Sequence, residues 1–287
     1  MSRTRHSLRR LLTPYLLLAP GLLWLVVFFV LPTIQMFLYS VSKGSVDLGY
    51  HIAWSFDAFT KIPRDFSRQF GNSLMYGTLA TIITFLLSYP LAYFTAFRGG
   101  RYKNLILFLV IAPFFTSFLI RTISWKILLG DNGPLLSALK GIGLLSPDFS
   151  ILGTAPAVIA GLTYNFLPFM ILPLYVSLEK IDPRLIEAAH DLYAGRWGAF
   201  RRVTLPLSLP GVFAGSLLTF IPAIGDYVNA ELLGNPSTRM IGNVIQSQFF
   251  LLGNYQVPAA LSFILMVAIL VAVLVYARVL GTEQLTG

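Results

Sequence analysis

Long apolar runs alternate with shorter polar connections along this chain, and six of the runs are long enough to matter. Crossing a hydrocarbon core takes about 20 mostly apolar residues at a rise of ~1.5 Å each. The qualifying runs are 11–38, 71–97, about 104–124, 153–178, about 207–233 and about 256–277. No charge occurs from Gly71 to Phe97, and Arg121 alone interrupts the third run, near its end. Backbone groups in lipid must be satisfied within the segment, so the pattern predicts an all-α integral membrane protein with six transmembrane helices. Proline falls within most spans, at Pro20, Pro32, Pro90, Pro113, Pro168, Pro173 and Pro222. Kinks that improve packing account for such residues, yet a bundle kinked this often suits a conduit better than a passive anchor. Gly211 and Gly215 open the fifth run with a small-xxx-small face, where another helix can approach closely.

Composition agrees and narrows the field. Hydrophobic residues make up 56% of the chain and charged ones 11%, and mean hydropathy is +0.73. A soluble domain carries roughly 25% charged residues, so a soluble enzyme, a nucleic-acid-binding module and a disordered tail are excluded. The net charge of +9 reads as topology. An even number of spans puts both termini on one side, together with Arg3, Arg5, Arg9, Arg10, Arg98, Arg101, Lys103, Lys180, Arg184, Arg196, Arg201, Arg202 and Arg278. These are 13 of the 21 basic residues, against five of the 12 acids, so that side is expected to be cytoplasmic. No nucleic acid is needed to explain the charge. The arginines before Leu11 resemble the start of a signal peptide, but a cleavable apolar region is about 7–15 residues and this run is far longer. It reads as a retained helix. There is no cysteine, and the three histidines, His6, His51 and His190, are scattered, which argues against thiol chemistry, disulfides and a metal site.

Three connections are expected to face outward, about 39–70, 125–152 and 234–255. The first holds Trp54, Phe56 and Phe59, and the second has turn signals at Asp131-Asn132-Gly133-Pro134 and Ser146-Pro147-Asp148. The aromatics suit either interfacial packing or docking of a soluble partner. The connection at about 179–206 is more informative. Asp182 can cap a helix with Pro183 at its first position. Leu185, Ala188, Ala189 and Leu192 then repeat as one apolar stripe, with Glu187, His190 and Asp191 around the other side. Gly195 is a candidate breaker, and a second short helix would carry Trp197, Phe200 and Val203 before Pro206. From periodicity alone, this L of two helices could equally rest on lipid with Arg201 and Arg202 at headgroups.

The order of residues, Glu187-Ala188-Ala189, a turn, Phe200, Val203, Leu205-Pro206 and Pro210-Gly211, resembles the EAA loop of type I ABC importer permeases. One departure stands out: the glycine usual seven positions into that motif is Tyr193 here, with Gly195 two residues later. The resemblance implies the type I ABC importer transmembrane fold, with a loop that inserts into a cleft of a separate ATP-binding subunit. Glu187, Ala188, Ala189, Asp191, Leu192 and Gly195 would carry the coupling. No Gly-x-x-x-x-Gly-Lys-Ser/Thr phosphate loop occurs in the chain. ATP would therefore be bound by partner subunits, leaving this chain without a cofactor or catalytic residues. The implied organisation is a cytoplasmic N-terminus at 1–10, a first helix at 11–38, an extracytoplasmic loop at 39–70, an ABC transmembrane type-1 domain at 71–280 and a cytoplasmic tail at 281–287.

Pro113–Arg121, Leu167–Tyr175, Phe220–Asp226 and Ile241–Ile245 look like the first-subunit type of the spermidine/putrescine permease branch, a similarity running over about residues 15–280. It implies a bacterial inner-membrane protein working with a second homologous permease, two ATP-binding subunits and an extracytoplasmic solute-binding protein. Relatives of that branch handle other solutes, so an opine, an amino-acid derivative or an iron complex stays open. Residue chemistry bears on the substrate independently. Asp226 lies ~24 Å along a continuous helix from Pro210, with Asn229 on its face and Glu231 sharing a face with Tyr227. Carboxylates and aromatic faces suit a flexible polycation, although these acids could equally mark where the helix meets water. Tyr164, Tyr76 and Trp125 are lesser candidates, since aromatics at span ends usually form interface belts. A stand-alone ion-coupled transporter is the rival class, but the chain shows no clear internal repeat and no acid at midplane.

Overall fold

The computed structural model describes residues 17–46 and 48–280. The arginine-rich start, the first residues of the expected 11–38 span and the tail at 281–287 lie outside them. Among the described residues five helices are long and apolar enough to cross a membrane, and counting one bent pair as a single span makes six. The chain divides into two compact units, residues 1–65 with 247–264 and residues 66–246 with 265–287.

In the first unit, α1 (Leu17–Ser40) contains a π-helical turn at Val26–Val30 and exposes its large side chains. An antiparallel hairpin follows, β1 (Ser42–Ser45) against β2 (Gly49–Ile52), with Ser42 opposite Ile52. Next comes α2 (Asp57–Asp65), where the Ser55 hydroxyl donates to Asp57 Oδ2 at 2.7 Å and Lys43 Nζ lies 3.3 Å away. These neighbours hold the Asp57 carboxyl below its usual range, the hydroxyl contributing most. Tyr39, Tyr50, Tyr255 and Phe249 pack as one aromatic group. The Tyr50 hydroxyl donates to the Gly253 carbonyl and accepts from the Tyr255 amide.

The second unit runs through α3 (Ser67–Arg98), α4 (Lys103–Ile111), α5 (Phe118–Leu128), α6 (Pro134–Gly141) and α7 (Ala155–Glu179). It continues with α8 (Pro183–Asp191), α9 (Arg196–Ile224) and α10 (Val228–Leu233). The last two helices, α11 (Ile241–Phe250) and α12 (Gln256–Leu280), have residues in both units. Its core is formed where α3, α7 and α9 pack together, and α7 is the most enclosed span. Apolar character cannot select the packing faces, because lipid is as apolar as leucine. Small residues do so by letting backbones approach. On α3 the buried line is Gly77, Ala80, Thr84, Ser88, Ala92 and Thr95, and on α9 it is Ser208, Gly211, Gly215, Thr219 and Ala223. A methyl group at Gly211 would stand 2.7 Å from the Pro173 carbonyl oxygen, and one at Gly215 would stand 2.8 Å from Met170 Sδ. The small-xxx-small face is thus the contact between α9 and α7.

Three expectations are corrected. The third span is not straight: residues Gly100–Phe115 and Phe118–Leu128 meet at a bend of 95°. The break is extended backbone at Thr116 and Ser117, just after a 3₁₀ turn that contains Pro113. The fifth span does not reach residue 233. It stops at Ile224, and Gly225, Asp226 and Tyr227 separate it from α10. At its other end, the second short helix is not separate from that span. Helix α9 runs unbroken from Arg196 through Pro206, using a π-helical stretch at Phe200–Thr204. Where the bonding pattern shifts there, the amide that proline lacks is least missed.

Glycine contacts of this kind give a direct test. Gly211→Ala is expected to lower the thermal midpoint of the purified protein, at an overpacking cost of about 1–3 kcal/mol. Gly71→Ala, in α3 with open space around it, should leave the midpoint unchanged or raise it.

Candidate functional site

The α7–α9 connection is an elbow built around α8. Asp182 Oδ1 accepts the Arg184 amide at 3.0 Å, and Pro183 fills the first helical position. Ile186 packs towards the buried group of Tyr89, Met170, Leu174, Tyr175, Leu178 and Ile181. Leu185, Ala188 and Leu192 remain exposed, as do Glu187, His190 and Asp191, while Ala189 is half-buried. The apolar stripe read from periodicity therefore exists, but it is left largely uncovered by the chain's own residues.

The helix ends in a Schellman arrangement. The Ala194 amide donates to the Ala189 carbonyl at 3.0 Å and the Tyr193 amide to the His190 carbonyl at 2.9 Å. The residue that must turn left-handed in this motif is Tyr193, at φ 59°. A β-carbon in that conformation costs about 1–2 kcal/mol, which is why glycine is usual there. Gly195, expected to be the breaker, is instead extended at φ −63° and ψ 166° and starts α9.

Aromatic contacts tie the elbow to the bundle. Trp197 stacks on Phe200 at 5.3 Å, and Phe200 sits edge-on to Tyr89 at 5.7 Å and to Tyr93 at 6.2 Å. The buried Tyr89 hydroxyl shares a 2.8 Å hydrogen bond with Ser208 Oγ, joining α3 to α9. Lys103 at the start of α4 pairs with Glu179 at the end of α7. Displacement of α8 would consequently be felt by α3, α7 and α9 together.

A second group of candidates surrounds α10. Asp226 is buried and stands outside the helix, where its Oδ1 accepts the Asn229 amide at 2.8 Å. The expected shared helical face of Asp226 and Asn229 is therefore replaced by a capping bond. Tyr227 and Glu231 are exposed, and Glu231 Oε2 accepts from Asn243 Nδ2 at 3.0 Å. Asn229 points the other way, into the bundle. Its Oδ1 accepts from Asn165 Nδ2 at 3.1 Å and lies 3.4 Å from the Thr122 hydroxyl, which accepts from Asn165 Nδ2 at 3.2 Å. Trp125 and Tyr164 are half-buried and pack at 5.3 Å between ring centres. Tyr76 is buried in the core rather than at an interface. Adjacent to this cluster in sequence, Arg121 is buried, facing Phe114 at 5.3 Å and Phe118 at 5.7 Å, with no acidic partner among the described residues.

Sequence reasoning missed the triad of Thr122, Asn165 and Asn229 that joins α5, α7 and α10. Its signal was Asn165, the single amide in the apolar run 153–178. Among the described residues no cluster of three or more His, Asp or Glu could hold a metal ion.

Comparison with known proteins places this architecture. The family model described as "Binding-protein-dependent transport system inner membrane component" matches residues 88–281. The chain belongs to this family. Among curated members, the spermidine/putrescine transport system permease protein PotB of Haemophilus influenzae is 40% identical over 256 residues, covering 89% of this chain and 90% of the relative. The PotB of Escherichia coli K12 is 37% identical over 257 residues, covering 89% and 93%. A bacterial ABC transporter involved in alginate import has the same fold, with a TM-score of 0.78, 21% identity and full coverage of both chains. The inward-facing MetNI methionine ABC transporter matches at a TM-score of 0.55 and 22% identity, over 79% of this chain and 99% of that one. This family member is thus a multi-pass inner-membrane protein with the fold of an ABC transporter transmembrane subunit.

The buried amides supply a prediction specific to this chain. Asn165→Ala and Asn229→Ala should each destabilise the protein, but the pair should be less destabilising than the two effects added. The expected coupling is about 0.6 kcal/mol, read from unfolding in detergent; strict additivity would show that the two amides do not interact.

Proposed function

We propose that this chain is a membrane-spanning permease subunit of an ABC importer that translocates polyamines. The observation that carries the reading is the match, at 37% and 40% identity over about nine-tenths of both lengths, to permeases named for spermidine and putrescine. In this reading both termini are cytoplasmic, and the chain pairs with a second homologous permease. Of two ATP-binding subunits in the complex, one meets this elbow from the cytoplasm, and a solute-binding protein delivers cargo from the other side. The chain itself is non-catalytic. ATP-driven closure of the partner dimer would push on α8, and the rigid joint through Phe200, Tyr89 and Ser208 would pass that movement to the spans. Affinity would reside mainly in the binding protein, since a tight site inside the permease would retain the cargo.

For a flexible polycation the pathway needs carboxylates and aromatic faces. Asp226, Glu231, Tyr227 and the Trp125–Tyr164 pair are the candidates of that chemistry. Asn229 is less suited to hold a polycation, because it is uncharged and its side-chain oxygen is engaged by Asn165.

The test is ATPase stimulation of the reconstituted complex with its binding protein. Spermidine, putrescine, an opine, an amino-acid derivative and an iron complex would be compared. Stimulation by polyamines alone is expected; stimulation by another solute would retain the ABC permease and discard the polyamine assignment. Transport that survives ATP depletion but collapses with the ion gradient would favour the stand-alone transporter. Within the complex, Asp226→Asn keeps a side-chain oxygen able to cap α10 but loses the charge. It should lower the maximal rate of polyamine transport about tenfold, the worth of one charge-assisted contact, while the half-saturating concentration stays that of the binding protein. Glu187→Arg should uncouple ATP hydrolysis from transport while leaving the permease folded, as expected of an exposed residue whose partner is another subunit.

A further inference from the structure

The most exposed large side chain of the elbow is also the one on the least favourable backbone. Tyr193 is 98% exposed and occupies the left-handed position of the Schellman turn, at φ 59°. Its ring makes no aromatic contact among the described residues, and its backbone amide takes part in the turn. Among the described residues nothing packs on the ring to offset the conformational cost of a β-carbon there, and glycine would close the same turn with the same two backbone bonds. The His190 ring reaches across the turn, with Nδ1 2.8 Å from the Ala194 carbonyl oxygen, so the turn is fixed and the ring is held out beyond the helix end. Leu192, 82% exposed, and Trp197, 71% exposed, flank it in sequence. Together with Leu185 and Ala188 they continue the uncovered stripe of α8.

We infer that Tyr193 is an anchor residue for the ATP-binding subunit, inserting its ring into an apolar pocket rimmed by basic side chains. The inference rests on the reading of the elbow as the contact with that subunit, and it adds a residue that the coupling motif reserves for glycine. A basic rim is the complement of Glu187 and Asp191, the exposed acids of α8. Arg196 and Arg201, exposed arginines that would suit an anionic lipid surface, belong to α9 beyond the turn rather than to the stripe of α8 that leads to Tyr193. A strained and solvated aromatic that a partner desolvates is the kind of residue on which binding energy concentrates.

The experiment uses the assembled complex and a glycine substitution that separates structure from recognition. If Tyr193 serves only the turn, Tyr193→Gly should assemble at least as well as the unaltered chain, because it relieves the left-handed strain. If the ring is the anchor, Tyr193→Gly should raise the thermal midpoint of the isolated permease yet weaken retention of the ATP-binding subunit about tenfold. Tyr193→Phe should restore assembly, and Tyr193→Ala should bind as weakly as the glycine variant. Because the chain contains no cysteine, Tyr193→Cys gives a unique labelling site. Its thiol should be reactive in the free permease and protected once the ATP-binding subunit and ATP are added. Equal retention of Tyr193→Gly and the unaltered chain would overturn the anchor. So would a label at position 193 quenched by nitroxide lipids and indifferent to the ATP-binding subunit. Failure of the unaltered chain to retain any ATP-binding subunit would instead overturn the elbow reading itself, and the anchor with it.

Discussion

Close backbone approach is the constraint on which the rest of this molecule depends. In water a buried apolar face distinguishes itself from an exposed polar one, whereas in lipid every face of these helices is apolar. What orders α3, α7 and α9 is the ability of Gly77, Gly211 and Gly215 to bring backbones within reach of Ile224, Pro173 and Met170. The prolines of α7 lie in the span most enclosed by protein, which is where interrupted helical backbone is tolerated in a membrane. Some buried polar atoms then acquire fixed partners, as in the Tyr89–Ser208 bond and the Asn165–Asn229 contact of the amide triad. Oriented hydrogen bonds are among the few interactions in such a core that specify one arrangement over its rotated neighbours.

This packing also explains why the elbow and the polar segment around α10 can serve different ends. The elbow joins the core through a run of rings and one buried hydroxyl pair, which resist compression. The α10 segment is held by amides and a capping carboxylate, which specify orientation at little cost in bulk. A lever needs the first property. In the proposed permease, a passage for a small solute would draw on the second, since its side chains must be aimed.

Much of the fold was legible in the sequence because spans are set by length and apolarity, and both are read from the residues directly. The elbow was legible too, with its Asp182 cap and Pro183. Direction was not. Pro113 is followed by Phe114 and Phe115, so hydropathy reads smoothly across a 95° turn. Asp226 was misplaced for a related reason: the apolar run continues past Gly225, and only the pairing of Asp226 with the Asn229 amide three residues on marks a new helix start. Side-chain direction on α10 depends on neighbours far away in sequence, which is why Asn229 read as a companion of Asp226 and proved to be a companion of Asn165. Tyr193 was hidden by a conformational rule: sequence expects glycine at a left-handed turn and therefore shifted attention to Gly195.

The π-helical stretch at Phe200–Thr204 has a bearing on how this chain tolerates change in length. A π turn accommodates one residue more than the α pattern, and each residue of an α-helix advances the phase by about 100°. Insertions and deletions within this stretch would leave the spans and the elbow individually intact while rotating one against the other. The stretch therefore acts as an indexing joint, at which the heading of the elbow can be reset without redesigning either side.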